Sequence, residues 1–267
     1  MGGEGFIGRN LSDVLSSSFD CFSVGSTKSI FPGGKASFIK ADPYKEKISG
    51  HFDIVIQLID PKLPLKEVQK TEEKILENID SIGPEQIILF STAAIYMSPD
   101  SEYAQRKLLI ERLYEKYCQN KQIGLSVLRL FNIYGPYQLP SKPGSLVAKL
   151  INCHFTKDPI WINDFEAVRD FIYARDVAKC VEVIIKKRIY GRDDLATNIM
   201  TSIGELLIRL NKLLPGKIKT LDKKNIEERC PDASSKVIKL IKPMMLDQGL
   251  EETIEFYQKN WQLIKTK

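Results

Sequence analysis

Three glycines spaced three residues apart, in Met1-Gly2-Gly3-Glu4-Gly5-Phe6-Ile7-Gly8-Arg9-Asn10-Leu11, constrain this chain more than any other stretch. Glycine accepts the backbone angles of a tight turn, and without a Cβ it lets N–H groups approach an anion while a following helix packs close. The pattern runs into a short helix ending near Ser16 to Ser18, whose N-terminus favours negative charge such as a pyrophosphate. Gly2, Gly5, Phe6, Ile7 and Gly8 are therefore candidate cofactor contacts. Such a loop ordinarily follows a buried strand, and only Met1 stands before it here. In the doubly wound order 3-2-1-4-5-6 that strand is an inner one. The expectation is a missing or truncated first strand, or another segment filling its slot.

Downstream, the apolar pattern alternates between strand and helix periods. Asp20 to Gly25, Ala36 to Ala41 and Phe52 to Ile59 read as strands, Leu65 to Ser81 as a helix with outward charges, and Ile87 to Phe90 and Leu125 to Phe131 as buried strands. This order predicts an α/β protein built on a Rossmann-like, doubly wound parallel sheet. Residues 1–138 form the expected dinucleotide-binding domain. The segment 166–190 returns to it through an extended run, Val168 to Tyr173, and a helix, Ala174 to Lys187. Residues 139–165 and 191–267 are assigned to a smaller mixed substrate-binding lobe. It includes helices over Ser145 to Cys153, Ser202 to Leu214 and Leu246 to Lys259, a short strand at Pro159 to Ile162, and a basic run, Lys217 to Lys224, read as a solvated face.

Chemistry concentrates in Ser91-Thr-Ala-Ala-Ile-Tyr-Met-Ser-Pro-Asp-Ser-Glu-Tyr-Ala-Gln-Arg-Lys107. Ser91 and Thr92 close a buried strand, a Ser-Pro-Asp-Ser turn follows, and Tyr103 opens a helix that carries Lys107 one turn further on the same face. A phenol titrates near pH ~10, and a neighbouring ammonium favours its ionised form, which makes the pair suitable for proton transfer near neutrality. Thr92 adds a hydroxyl to orient the reacting oxygen. The same spacing recurs at Tyr117/Lys121, but at a helix end with no strand-terminal hydroxyl before it. A polar residue and a turn fall at a second strand end, Asn132-Ile133-Tyr134-Gly135-Pro136, where open α/β sheets bind ligands.

Composition excludes several classes. Lys and Arg number 39 against 34 Asp and Glu, a mild excess spread along the chain that suits a small anion and does not imply nucleic acid. The 5 cysteines are odd in number, far apart and never in Cys-x-x-Cys, so neither disulfides nor a metal site is expected, and a reducing cytoplasm is. The longest nearly apolar run, Ile87 to Met97, is too short to span a membrane. His51 and His154 read as surface or loop residues. Leu109, Leu113 and Tyr117 form a helical stripe that suits either the core or a homodimer face.

After Asp20 to Gly25, where an acid usually accepts the ribose hydroxyls of NAD, the chain has Gly25-Ser26-Thr27-Lys28. Hydroxyls at Ser26 and a cation at Lys28 favour a 2′-phosphate, and hence NADP slightly over NAD.

Taken in order, Gly-Gly-Glu-Gly-Phe-Ile-Gly at 2 to 8, Ser-Thr-Ala-Ala-Ile-Tyr at 91 to 96, Tyr-Ala-Gln-Arg-Lys at 103 to 107, Arg-Leu-Phe-Asn-Ile-Tyr-Gly-Pro at 129 to 136, Val-Arg-Asp-Phe-Ile-Tyr at 168 to 173 and Leu-Asp-Gln-Gly-Leu-Glu-Glu-Thr-Ile-Glu at 246 to 255 resemble one family. It is the extended short-chain dehydrogenase/reductases, in the NAD-dependent epimerase/dehydratase branch that acts on nucleotide sugars. The resemblance implies an NAD(P)-dependent 4-ketosugar reductase or 4-epimerase, serving polysaccharide or deoxysugar synthesis. By resemblance, Tyr103 is the proton donor or acceptor, Lys107 lowers its pKa and holds the nicotinamide ribose, and Thr92 bonds the sugar oxygen. Asp42 matches the family's adenine contact, and Asn132 and Arg169 match contacts to the nucleotide diphosphate. Two departures stand out. Ala93 and Ala94 occupy the positions where dehydratases carry Asp-Glu, which argues against 4,6-dehydration. Gln57-Leu58-Ile59-Asp60 replaces the family's His-Leu-Ala-Ala and brings a negative charge near the pyrophosphate. The alternative that these departures imply is a non-catalytic or cofactor-poor relative binding a nucleotide sugar or a protein partner.

Overall fold

Strands and helices alternate along the chain in the computed structural model, which describes residues 1–60, 62–142, 144–222 and 230–266. First come α1 (Phe6–Leu15), β1 (Phe22–Gly25), β2 (Ser37–Lys40), β3 (Ile54–Gln57), α2 (Leu65–Ile82) and β4 (Gln86–Thr92). Next are α3 (Ala94–Met97), α4 (Glu102–Lys121), β5 (Gly124–Leu130), β6 (Asn132–Tyr134), α5 (Leu146–Thr156) and β7 (Ile160–Ile162). The chain then forms β8 (Val168–Tyr173), α6 (Ala174–Lys187), β9 (Gly191–Leu195), β10 (Met200–Ser202), α7 (Ile203–Leu213), β11 (Thr220–Asp222) and α8 (Leu246–Ile264).

The sheet that positions the site runs β3-β4-β5-β9, every pair parallel. Its centre, β4, is buried on both faces because its side chains alternate between two apolar layers. Ile88 and Phe90 join Leu128, Val177 and Val181 in one core, while Ile87 and Leu89 join Ile75, Ile79 and Val127 in the other. Helices α1 and α6 lie together over the first face, and α2 and α4 over the second. This is the doubly wound α/β arrangement expected from the alternation. A third apolar cluster joins α5, α7 and α8 to the sheet β10-β8-β6, which is mixed: β8 pairs with β6 in parallel and with β10 antiparallel.

Two readings change. Gly191–Leu195, assigned to the smaller lobe by a boundary at 191, pairs with β5 and extends the main sheet. Its charges hid it. Asp193 and Asp194 are buried, and Asp193 is satisfied by the backbone N–H groups of Lys236 and Val237, each at 2.9 Å. His154, read as a surface residue, is buried on α5 against Phe155. Leu109 and Tyr117, two of that stripe's three residues, pack against the α2-side core within the chain. In the basic run, Lys217 and Lys219 are exposed, while Lys223 and Lys224 lie outside the described residues. Among the described residues no helix is long and apolar enough to cross a membrane.

The pair β1–β2 is parallel and does not hydrogen-bond to β3. Between β1 and β3 lies a cavity of about 580 Å³, with Met1 and Gly3 among its lining residues. The Gly2 N–H donates to Val24 O at 2.9 Å, the Met1 amino group to Ile56 O at 2.6 Å, and the Leu58 N–H to Met1 O at 3.2 Å. From there Gly2, at φ +77°, turns the chain into the loop. Gly8 is where α1 meets that loop: a Cβ added there would lie 2.4 Å from Gly3 Cα. Backbone cannot yield as a side chain does, so Gly8→Ala is expected to cost about 1–3 kcal/mol, as overpacking does, and to lower Tm by several degrees. Gly5→Ala, whose Cβ meets nothing nearer than Gly2 O at 3.4 Å, serves as the control and should change Tm much less.

Candidate active site

Helix α4 begins at Ser101, whose side chain caps it by accepting from the Ala104 N–H at 3.2 Å. The cap sets Tyr103 in the first turn, over the end of β4. Thr92 Oγ1 accepts from the Ala94 N–H at 3.1 Å, and its hydroxyl acts on the Tyr103 phenol, lowering its pKa. Burial pushes the phenol above its ordinary value; Asp60 raises it further, and Thr92 and Arg106 pull it down. The Tyr103 side chain nevertheless remains 41% exposed, so this hydroxyl-bearing corner is open at its outer edge.

Lys107 sits one turn deeper and is buried. The Arg106 guanidinium stands 5.5 Å from the Tyr103 ring centroid and lowers the phenol's pKa. Lys107 faces inward instead. Burial lowers its pKa, while Asp60, Glu72 and Glu111 oppose that fall.

Asp60, the residue that set this chain apart after β3, is neutralised. Arg106 Nε and Nη2 donate to its two oxygens at 3.0 and 3.2 Å, a bidentate clamp from the helix that carries Tyr103. The charge expected to oppose a pyrophosphate is thus paired, and the signal was in the sequence: a lone acid after a strand and a lone Arg between Tyr103 and Lys107.

A second group that the sequence reading passed over is Glu72, on α2 and fully buried. It accepts from the Tyr114 hydroxyl at 3.2 Å, and desolvation pushes its carboxyl up to about 7, against the pull of Lys107. Burial shifts the acid up and the base down, so the low polarity of this site outweighs the attraction between them. Gln57 Nε2, Glu72 Oε1 and the Tyr44 hydroxyl have no hydrogen-bond partner. The competing Tyr117/Lys121 pair is structural: both side chains bind Asp80, at 3.1 and 2.6 Å.

The glycine loop fits a dinucleotide on its own geometry. Gly5 caps α1 without a side-chain hydrogen bond, and no acid lies in the first turn, so the N–H groups at Phe6 and Ile7 face no competing carboxylate there. At the end of β1, Ser26 and Lys28 are exposed, and Lys28 Nζ lies over the Phe38 ring at 5.4 Å. Glu4 reaches the same turn, accepting from Ser23 Oγ at 2.7 Å and from the Ser29 N–H at 2.8 Å. A carboxylate there weakens the inference of a 2′-phosphate drawn from Ser26 and Lys28. Asp42 follows β2 and accepts from the Tyr44 N–H at 3.0 Å. Asn132 and Arg169 come together in a different cavity, of about 640 Å³, that also includes Trp161, Lys149 and the start of α5. Among the described residues no cluster of His, Cys, Asp and Glu could hold a metal.

A model of the NAD dependent epimerase/dehydratase family matches residues 65–199, just over half of the chain. The chain belongs to this family. Similar curated members include UDP-glucuronate 4-epimerase of Thermodesulfobacterium geofontis, 26% identical across 72% of this chain and 65% of that protein. The dTDP-D-glucose 4,6-dehydratase of Mus musculus is 27% identical across 67% of this chain and 57% of its own length. The chain thus spans somewhat less than two thirds of these family members. Among solved structures, MoeE5 in complex with UDP-glucose and NAD superposes with a TM-score of 0.81 at 21% identity, over 97% of this chain and 98% of that one, a likeness of fold.

Glu72 gives this site a pH signature. Its folded pKa lies above the unfolded carboxyl value, so its contribution to stability is present below about pH 4.5 and is lost as the pH rises through about 7. Wild type should therefore lose roughly 3 kcal/mol across that window relative to Glu72→Gln, which has no carboxyl to ionise. Denaturant melts of both proteins at pH 5 and pH 8 measure the difference. Parallel curves would mean that Glu72 ionises normally.

Proposed function

We propose that the chain carries out NAD-linked oxidation and reduction at C4 of a nucleotide-diphosphate sugar, as a 4-epimerase or a 4-ketosugar reductase. The reading rests on the Thr92–Tyr103 hydroxyl pair at a strand end, with a buried ammonium, Lys107, one helical turn behind it. In the oxidative direction Tyr103 takes the proton of the sugar hydroxyl; in the reductive direction it returns one to the carbonyl oxygen. Thr92, held by the Ala94 N–H, orients that oxygen and donates to the phenolate as it forms. Arg106 offsets the developing negative charge, against Asp60, which it also clamps.

Bound NAD supplies the hydride acceptor and donor. Gly2, Gly5, Gly8 and the Phe6–Ile7 turn would hold its pyrophosphate, Asp42 its adenosine side and Lys107 its nicotinamide ribose. NAD rather than NADP is favoured by Glu4, since a carboxylate at the turn after β1 suits ribose hydroxyls and repels a 2′-phosphate. Asn132 and Arg169 would hold the substrate diphosphate, where a guanidinium offers paired donors to phosphate oxygens. Ala93 and Ala94 favour this chemistry over 4,6-dehydration. Ala93 is fully buried in a small apolar cluster with Phe131 and Ala196, and neither residue offers a carboxyl to carry away the C6 hydroxyl. The pairing of Asp60 also supports a catalytic reading over a cofactor-poor one.

With UDP-glucose and UDP-glucuronate as trial substrates, a 4-epimerase forms the C4 isomer without net change in NADH, whereas a 4-ketosugar reductase consumes one NADH per turnover of a keto substrate. In either case Tyr103→Phe should fold normally and lose roughly 10²- to 10⁴-fold in turnover, the usual weight of one positioned proton-transfer group. Full activity in that variant would remove Tyr103 from the mechanism. Lys107→Ala should weaken NAD binding as well as turnover, and an unchanged affinity would limit it to a packing role.

A further inference from the structure

Val68, Glu72, Ile75 and Ile79 lie on the core-facing side of α2, one carboxyl among three apolar residues, and all four are fully buried. Taking a carboxyl out of water is unfavourable unless its oxygens find partners. One does: Oε2 accepts from the Tyr114 hydroxyl of α4 at 3.2 Å. Oε1 has no hydrogen-bond partner among the described residues. Gln57, at the end of β3, and Tyr44, after β2, stand near the same carboxyl, and Gln57 Nε2 and the Tyr44 hydroxyl are likewise without a partner there. A polar chamber is thus enclosed between β3, α2 and α4, with Lys107 beside it.

Three carboxylates favour the ammonium of the buried Lys107: Asp60, Glu72 and Glu111. Two of them are committed elsewhere. Arg106 donates to both oxygens of Asp60 at 3.0 and 3.2 Å, and Arg129 to both oxygens of Glu111 at 3.0 and 2.7 Å. A carboxylate clamped by a guanidinium, which does not give up its own proton, stays ionised. Of the three, Glu72 alone keeps an oxygen without a partner. The other groups around the pair hold their protons: burial keeps Tyr44 and Tyr114 as phenols, and the bond to Asp60 strengthens the hold of Arg106.

We propose that Glu72 is the proton partner of Lys107: the ammonium gives a proton to Oε1, breaking one N–H bond and forming one O–H bond, and takes it back, with no change in the net charge of the pair and no other reactant. The two groups titrate as a unit. Glu72 is then a positioning residue, which acts through the charge that Lys107 presents. Its effect on NAD rests on the proposed nicotinamide-ribose contact of Lys107, whereas the shared proton does not.

Lys107 offers its full set of donors only while it holds that proton. In wild type the pair supplies it internally, so above the Glu72 transition at about 7 the affinity for NAD is expected to be level with pH. In Glu72→Gln the proton comes from solvent, because Lys107 has lost one of the carboxylates that oppose the fall of its pKa. NAD binding should then take up a proton and weaken by roughly tenfold per pH unit once Lys107 is neutral. Calorimetric titration at pH 8 and pH 9, in buffers of different ionisation enthalpy, reads both effects. A Glu72→Gln profile as level as that of wild type, with no proton taken up, overturns the proposal. The shared proton itself is tested without nucleotide. Infrared spectra of the free protein should show a protonated-carboxyl band that is absent from Glu72→Gln and persists to higher pH in Lys107→Met, since Lys107 lowers the Glu72 pKa. A band that titrates identically in wild type and Lys107→Met also overturns the proposal. The infrared shift without NAD binding to wild type would support the pair and remove the ribose contact instead.

Discussion

A buried ion pair holds the rest of the site in register. Arg129, next to the carboxyl end of β5, donates from Nε and Nη2 to the two oxygens of Glu111 on α4 at 3.0 and 2.7 Å, and both residues are almost wholly buried. Taking two charges out of water costs several kcal/mol per ion, and the attraction between them repays this only when the remaining hydrogen-bonding capacity is filled. Here it is filled. Ser91 donates to Glu111, Arg129 donates from Nη1 to the Tyr96 hydroxyl at 2.6 Å, and Arg192 stands 3.4 Å from the same carboxylate. An apolar pair of the same volume would tolerate a rotated or shifted helix, whereas a bidentate clamp fixes one setting. Neighbouring residues at the end of β4, Ser91 and Thr92, thereby engage α4 at Glu111 and at Tyr103. The reactive phenol inherits its position from a charge pair two turns away.

The same logic governs the polar groups around Lys107. Asp60 is tolerable near an anion site because Arg106 takes both of its oxygens. Glu72 and Lys107 are less well matched, since burial pushes each towards its neutral form. That mismatch is a stability cost located directly behind the proposed ribose contact. Natural proteins accept such costs chiefly at functional sites.

Much of this was legible in the sequence because it depends on local pattern. The two-sided burial of β4 and β5 follows from continuous apolar runs, the bounds of α6 from its charged ends, and the placement of Tyr103 beside Thr92 from a strand, a turn and a capped helix. What was not legible depends on partners distant in the chain. Gly191–Leu195 reads as polar, and becomes a strand because the backbone at 236 and 237 satisfies Asp193. Glu4 looks like an ordinary loop residue until Ser23 and Ser29 are brought to it. Lys107 is buried one turn behind Tyr103, and the pull of Arg106 on the phenol was not read from the sequence. Spacing along one helix fixes a face; only the packing of the other elements decides which charges meet there.

The central claim is that this fold presents a working dinucleotide site to Tyr103, and calorimetric titration with NAD and with NADPH tests it most directly. The account predicts saturable one-to-one binding of NAD and weaker binding of NADPH because of Glu4. No heat of binding from either nucleotide would contradict it.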